Sequence, residues 1–259
     1  MYSATHRRAF SLVELSIVLV ILGLLVGGVL AGQSLIRAAE LRAVSAEHAR
    51  YITAVHSFRD KYFALPGDIN NATAFWGTDA NCAGTYTGAT AAAGTCNGNG
   101  NGLINTAAAA SSTGEWFQFW KQLALAGLIE GSYTGFAGTI TNEQHIGGQN
   151  APRSRMPTGV WATLTNPSWT GNGVYFDGIY NNFMVYGRAT NWDPSGQVLK
   201  PEEAWNIDTK MDDGLPARGK MIIRNWSTCT TATASSQLTA TYLLTSNSVA
   251  CTLIWPQVF

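Results

Sequence analysis

Residues 10–32 read FSLVELSIVLVILGLLVGGVLAG, and Glu14 is the only charged side chain in this stretch. A helix of 23 residues rises about 34 Å, which is enough to cross the hydrocarbon core of a bilayer. Arg7 and Arg8 come directly before the apolar run, and basic residues at such a position tend to remain cytoplasmic. The sequence therefore predicts a transmembrane helix over residues 10–32.

Glu14 is out of place in this helix, because an ionisable group in an apolar segment is costly unless it finds a partner. No basic residue lies within residues 10–32. The candidate partners are Arg7 and Arg8 of the precursor, or an amine supplied by another molecule. An ordinary signal anchor that tolerates one glutamate near its end is the alternative interpretation.

The sequence RRAFSLVEL at residues 7–15 resembles the cleavage and methylation motif of type IV pilins and type II secretion pseudopilins. The resemblance implies that a prepilin peptidase cuts between Ala9 and Phe10, and that Phe10 becomes the N-methylated first residue. It also implies that Glu14 neutralises the methylated amine of a neighbouring subunit, so that Phe10 and Glu14 are assembly residues. The family usually has glycine where this chain has Ala9.

The resemblance implies a structural subunit and not an enzyme: a major or minor pilin of a type IV pilus-like filament. A pseudopilin that drives protein export and a minor tip pilin with an adhesive or ligand-binding head are the alternatives. The expected partners are other pilin subunits, the prepilin peptidase, the inner-membrane assembly platform and, before assembly, membrane lipid. The expected location is the bacterial inner membrane, followed by a periplasmic or extracellular filament.

The helical pattern continues without proline from Phe10 to about Tyr62 and stops before Pro66. Apolar residues and one histidine form a stripe on its second half: Leu41, Val44, His48, Ile52, Val55, Phe58 and Tyr62. We interpret His48 as a residue at the edge of the stripe and not as a ligand. The expected segments are a leader at 1–9, a transmembrane and filament-core helix at 10–32, an amphipathic helix at 33–65 and a globular head at 66–259.

The expected fold class is α+β, with the long helix packed on an antiparallel sheet in a pilin-like head. Ser112-Thr113-Gly114-Glu115 reads as a capping box that opens a second helix ending near Ala126. A third helix is expected from Pro201 to Gly214. Strands are predicted at 159–164, 174–176, 182–186, 220–226, 241–244 and 252–255.

The four cysteines are Cys82, Cys96, Cys229 and Cys251. An even number of cysteines in an exported domain favours disulfides, and four cysteines allow three connectivities. We prefer the local pairing of Cys82 with Cys96 and of Cys229 with Cys251. The second pair resembles the carboxyl-terminal disulfide loop of many type IV pilins.

Two places are candidates for calcium, although no cofactor is certain. Asn97, Asn99 and Asn101 precede Gly102 with the spacing of an EF-hand loop, but the loop lacks carboxylates, and a plain surface loop is the alternative. The second place is the cluster of Asp208, Asp212 and Asp213. Salt bridges from nearby basic residues are the preferred explanation for that cluster, with calcium as the alternative.

Composition narrows the function classes further. The chain has 16 basic and 16 acidic residues, and this neutral balance disfavours nucleic-acid binding through a strong basic field. Its 46% hydrophobic content excludes wholesale disorder. The four histidines are scattered, and no nucleophile elbow or zinc motif is present. Trp161, Trp169 and Trp192 leave room for a ligand-binding surface, with core packing as the preferred interpretation.

Overall fold

The longest element is helix α1, which runs over Leu12–Tyr62. The computed structural model describes residues 11–82, 92–105, 114–138, 144–171, 173–190, 193–224 and 226–259. The predicted leader and the cleavage residues Ala9 and Phe10 lie outside this set. The chain divides into two compact units, residues 1–41 and 42–259, which are described separately.

A four-stranded antiparallel sheet forms the centre of the second unit, with strand order β1-β2-β4-β3. The strands are β1 (Gly159–Trp169), β2 (Gly178–Arg188), β3 (Ile222–Arg224) and β4 (Thr252–Trp255). The shorter helices are α2 (Ala72–Trp76), α3 (Glu115–Leu125), α4 (Pro201–Met211) and α5 (Trp226–Cys229). A long amino-terminal helix followed by this sheet confirms the α+β expectation.

Two predicted strands are wrong. Residues 174–176 form no strand, and the apolar pattern there reflects burial of Tyr175 and Phe176 in the core. Around residues 241–244 only an isolated bridge forms, between Tyr242 and Thr230. An alternating apolar pattern predicts which side chains are buried. It does not distinguish a hydrogen-bonded β-strand from an irregular segment that is also buried.

The capping role predicted for Glu115 is also wrong. Helix α3 begins at Glu115, and its N-cap Gly114 makes no side-chain cap. The Glu115 carboxylate instead accepts hydrogen bonds from the backbone N–H groups of Asn99 (2.9 Å) and Asn105 (2.7 Å). Ser112, the other half of the predicted box, lies outside the described residues.

A buried carboxylate anchors the second half of α1 to the sheet. Glu47 accepts a hydrogen bond from the indole N–H of Trp161 at 2.8 Å and another from the backbone N–H of Arg155 at 2.9 Å. Tyr51, one turn further along α1, packs edge-on against the Trp161 ring with 5.5 Å between ring centroids. Glu47 is not part of the apolar stripe read from the sequence, yet it is buried with that stripe.

His48 lies beside this anchor and stacks on Trp255 of β4, with 4.4 Å between ring centroids. Burial lowers the pKa of the His48 imidazole from 6.5 to about 4, so the ring is neutral at pH 7. It is partly buried, which agrees with its predicted place at the edge of the stripe.

The structure contains two disulfides, Cys82–Cys96 and Cys229–Cys251, with Cα–Cα distances of 5.5 and 5.1 Å. These are the pairs that the sequence analysis prefers. The second disulfide joins the end of α5 to the residue before β4 and encloses an uncharged loop.

A second polar anchor is a buried ion pair. The Lys121 ammonium of α3 lies 2.7 Å from the Asp79 carboxylate, and both side chains are almost fully buried. Despite its burial, the Asp79 carboxyl has a lowered pKa, because hydrogen bonds from Lys121 and Asn81 favour the charged form. The pair ties α3 to the segment that leads into Cys82.

We expect Lys121→Met to lower the free energy of unfolding by about 3–5 kcal/mol, because it leaves the Asp79 charge buried without its partner. The double variant Lys121→Met/Asp79→Leu should lose less, since it removes both charges. Arg218→Met is the matched control: the Arg218–Asp213 pair is 3.9 Å apart and exposed, so its loss should cost under about 1 kcal/mol. Equal losses for Lys121→Met and Arg218→Met in denaturant titrations would contradict the expectation.

Candidate functional site

The amino-terminal end of α1 is closed by two hydrogen bonds to side-chain oxygens. The backbone N–H of Ser11 donates to Glu14 Oε2 at 2.8 Å, and the backbone N–H of Val13 donates to Ser11 Oγ at 3.3 Å. This is a variant of the capping box: the Glu14 side chain reaches back to the backbone N–H of the N-cap residue Ser11, while the Ser11 hydroxyl accepts from the second helical residue and not from Glu14. The sequence analysis missed it, although Ser11-x-x-Glu14 is the pattern that signals it.

The capping box changes how the charge on Glu14 is accommodated. One carboxylate oxygen has a partner within the chain, and the negative charge lies at the positive end of the helix dipole. Glu14 Oε1 makes no hydrogen bond with any described residue. The carboxylate is therefore held in a fixed place with one oxygen open to a further donor.

The surface around Glu14 is apolar and uncovered. Leu12, Leu24 and Leu35 are 87%, 73% and 72% exposed. Among the described residues, α1 is the one helix that is long and apolar enough to cross a membrane by length and composition, and its apolar window is wholly exposed. A continuous apolar surface of this size is typical of a segment that contacts lipid or other chains.

The glycines of α1 are Gly23, Gly27, Gly28 and Gly32, and all lie within the continuous helix. A Cβ added at any of them would meet nothing within 4 Å. No contact inside the described chain therefore requires glycine, although each weakens the helix by about 0.5–1 kcal/mol relative to alanine. Small residues are expected where another helix approaches closely, and Gly28 and Gly32 have the small-xxx-small spacing.

A search of protein families places residues 5–30 in the prokaryotic N-terminal methylation motif. The chain carries the type IV pilin and pseudopilin signature. The match includes Ala9, Phe10 and Glu14 and ends before the head begins. No curated protein and no solved structure matches the chain.

The chain also brings together the carboxylates of Asp208, Asp212 and Asp213, with one oxygen from each lying within 4.8 Å of the others. Asp208 Oδ2 accepts a hydrogen bond from the Tyr242 hydroxyl at 2.7 Å, whereas its Oδ1 meets no donor at hydrogen-bonding distance and angle among the described residues. Asp212 accepts backbone hydrogen bonds from Lys220 and Met221, the latter at 3.1 Å. Most of the cluster is thus held by donors from the chain itself.

Burial raises the pKa of the Asp208 carboxyl from 3.8 to about 7. The nearby carboxylates of Asp213 and Asp212 add to the rise, while the hydrogen bond from Tyr242 opposes it. Asp208 is therefore the member of the cluster whose charge is most costly in the fold.

The asparagine loop is organised differently from a calcium loop. Asn97 Oδ1 accepts from the backbone N–H of Thr73, and Asn99 Oδ1 accepts from that of Asn101. Asn101 Oδ1 accepts from the backbone N–H of Leu103 at 2.8 Å. All three amide oxygens thus have donors already, and these contacts do not favour a cation at the loop.

The tryptophan surface considered in the sequence analysis is not formed by Trp161, which is fully buried against Tyr51, Tyr186 and Trp255. Trp192 and the side chain of Trp169 lie outside the described residues.

We expect the free energy of unfolding to fall as the pH rises from about 4 to about 7, because folded Asp208 retains a proton that the unfolded chain has released. The contribution is on the order of 4 kcal/mol for a shift of this size. Asp208→Asn keeps an acceptor for Tyr242 and removes the titrating carboxyl group. The difference in the free energy of unfolding between the wild type and this variant therefore isolates the contribution of Asp208. Denaturant titrations from pH 4 to pH 8 with a chelator present measure it, and a constant difference across that range would contradict it.

Calcium at Asp208, Asp212 and Asp213 stays a prediction. A bound ion would raise the Tm as calcium concentration increases, and Asp213→Asn would reduce that rise. A Tm that does not respond to calcium would remove the prediction here and at the asparagine loop, leaving hydrogen bonds and salt bridges as the explanation of both.

Proposed function

We propose that this chain is a structural subunit of a type IV pilus-like filament. A prepilin peptidase removes residues 1–9 by cutting between Ala9 and Phe10, and Phe10 is then N-methylated. The subunit is stored in the inner membrane through residues 10–32 and is extracted by the assembly platform into a filament of pilin subunits. The motif points to a structural role and not to an enzyme.

The observation that carries this proposal is Glu14 at the start of an uncovered apolar helix. A carboxylate there is stable only with partners, and the capping box supplies one of them through Oε2. A methylated amine of a neighbouring subunit would take the free oxygen, so that two charges costly in an apolar setting become one buried pair. This pairing selects the register in which one subunit joins the next.

Two substitutions, one at Glu14 and one at Ser11, test the pairing separately from the cap. Glu14→Gln keeps an oxygen that can accept the Ser11 N–H but removes the charge, whereas Ser11→Ala weakens the cap and keeps the charge. We expect Glu14→Gln to be inserted and cleaved normally but incorporated into filaments at least tenfold less. Quantitative blots of membrane and sheared-filament fractions measure both steps.

Ser11→Ala should assemble, because its carboxylate is still charged. Glu40→Ala is a further control, since Glu40 lies on the same helix and pairs with Arg37 at 3.0 Å. Normal incorporation of Glu14→Gln would overturn the proposal.

The location of the subunit distinguishes a major pilin from a minor tip pilin and from a secretion pseudopilin. Electron microscopy with the head labelled should show decoration along the whole length of surface filaments for a major subunit. Label confined to tips would favour a minor tip pilin with a binding head. Label retained in the periplasm, with loss of protein export in the deletion strain, would favour a secretion pseudopilin.

A further inference from the structure

Phe63, the residue after α1, has an unusual conformation for its type. Its backbone N–H closes the helix on the carbonyl of Arg59 at 2.8 Å, and its φ of 54° lies in the left-handed region. Glycine is the usual residue at such a helix end, because a side chain there is strained. The Phe63 side chain is nevertheless 93% exposed, so the fold gains little from having an aromatic ring there.

Phe63 lines a cavity of about 920 Å³ in the second unit. The last turns of α1 contribute His56, Arg59 and Asp60 to the lining at the spacing i, i+3 and i+4, and Phe63 follows directly after the helix. Apolar side chains that include Ile69 contribute to the lining. The size lies within the range of small-ligand sites.

A loop that includes two glycines, Gly100 and Gly102, also contributes to the lining. Gly102, at φ 81°, lines the cavity, and a Cβ added there would meet nothing within 4 Å. The buried carboxylate of Asp68 holds this loop, because Oδ1 accepts from the backbone N–H of Asn101 at 3.0 Å and Oδ2 accepts from that of Gly102 at 2.9 Å. This pair of hydrogen bonds fixes the loop backbone at Asn101 and Gly102, next to the cavity.

The polar side chains that α1 contributes to the cavity are available for a ligand. Neither Arg59 nor Asp60 makes a side-chain hydrogen bond or ion pair with any described residue. An arginine with a free guanidinium binds a carboxylate through two parallel hydrogen bonds, and an aspartate accepts hydrogen bonds from hydroxyl groups. The exposed ring of Phe63 offers a π-face, which attracts the weakly positive C–H groups of a saturated ring.

We propose that this cavity binds an acidic saccharide. The C–H face of a pyranose ring lies on Phe63, the carboxylate of the sugar binds Arg59, and a neighbouring hydroxyl donates to Asp60. This inference does not depend on the filament pairing of Glu14, and it places ligand binding at the end of α1 instead of at the tryptophans or the disulfide loop.

Calorimetric titration of the full chain in detergent tests the proposal, with a glucuronate-containing hyaluronan tetrasaccharide as the acidic probe and chitotetraose as the neutral one. We expect binding of the acidic probe and at least tenfold weaker binding of the neutral probe. Arg59→Gln and Phe63→Gly should each weaken binding of the acidic probe at least tenfold. Glycine suits the left-handed backbone, so Phe63→Gly should not lower the Tm.

Arg155→Gln and Phe75→Ala are the matched controls, because both side chains are exposed and neither lines the cavity. Both should bind the acidic probe as wild type does. The proposal is overturned if the acidic probe does not bind, or if Arg59→Gln and Phe63→Gly bind it unchanged. An acidic hexapeptide that binds while the tetrasaccharide does not would replace the saccharide with a peptide. Loss of filament incorporation by Phe63→Gly with unchanged saccharide binding would assign the ring to a contact between subunits.

Discussion

The first unit exposes a long apolar surface on α1, and contact of this surface with water is unfavourable. The need to cover this surface is the constraint on which the rest of the molecule depends. The large apolar side chains from Leu12 to Ile36 are exposed in the part of the chain that the structure describes. A helix of this kind persists only in lipid or among other helices. The proposed cleavage and methylation, together with the carboxylate of Glu14 at the start of the helix, would serve the transfer of such a helix from lipid into a filament.

Helix α1 carries Glu14 in the first unit and Glu47 in the second, and the two carboxylates differ in how many of their oxygens accept hydrogen bonds. Glu14 is held by the backbone N–H of Ser11 and keeps one oxygen free, whereas both oxygens of Glu47 are occupied, by Trp161 and by Arg155. A buried acceptor with all its donors supplied contributes to a unique packing, and one that lacks a donor is open to a partner. The difference separates a residue suited to assembly from one that fixes the fold.

The sequence predicts the fold well where the signal is local and periodic. The span of α1, the carboxyl-terminal strand β4 and the preferred cysteine pairs follow from apolar spacing, a proline stop and short sequence separation. Glu47 escapes such a prediction because its donors lie more than 100 residues away. Glu115 fits a capping pattern, but it binds Asn99 and Asn105, because tertiary contacts offered its carboxylate better placed donors. At the site, the Ser11–Glu14 box was readable from spacing alone, whereas the cavity beside Phe63 depends on a loop more than thirty residues further along the chain.

Burial of charged side chains in the second unit, residues 42–259, changes how the charge balance of the sequence is distributed. Six acidic side chains of the described residues are buried: Glu47, Asp68, Asp79, Glu115, Asp193 and Asp208. Lys121 is the one buried basic side chain in the same part of the chain. Equal numbers of acidic and basic residues in the sequence thus do not produce an evenly charged exterior, since the acids are used inside as hydrogen-bond acceptors while arginines and lysines remain outside. Solvent, ions and macromolecules therefore encounter a second unit in which twelve unburied basic side chains outnumber seven unburied acidic ones among the described residues, a property that no count over the whole sequence reveals.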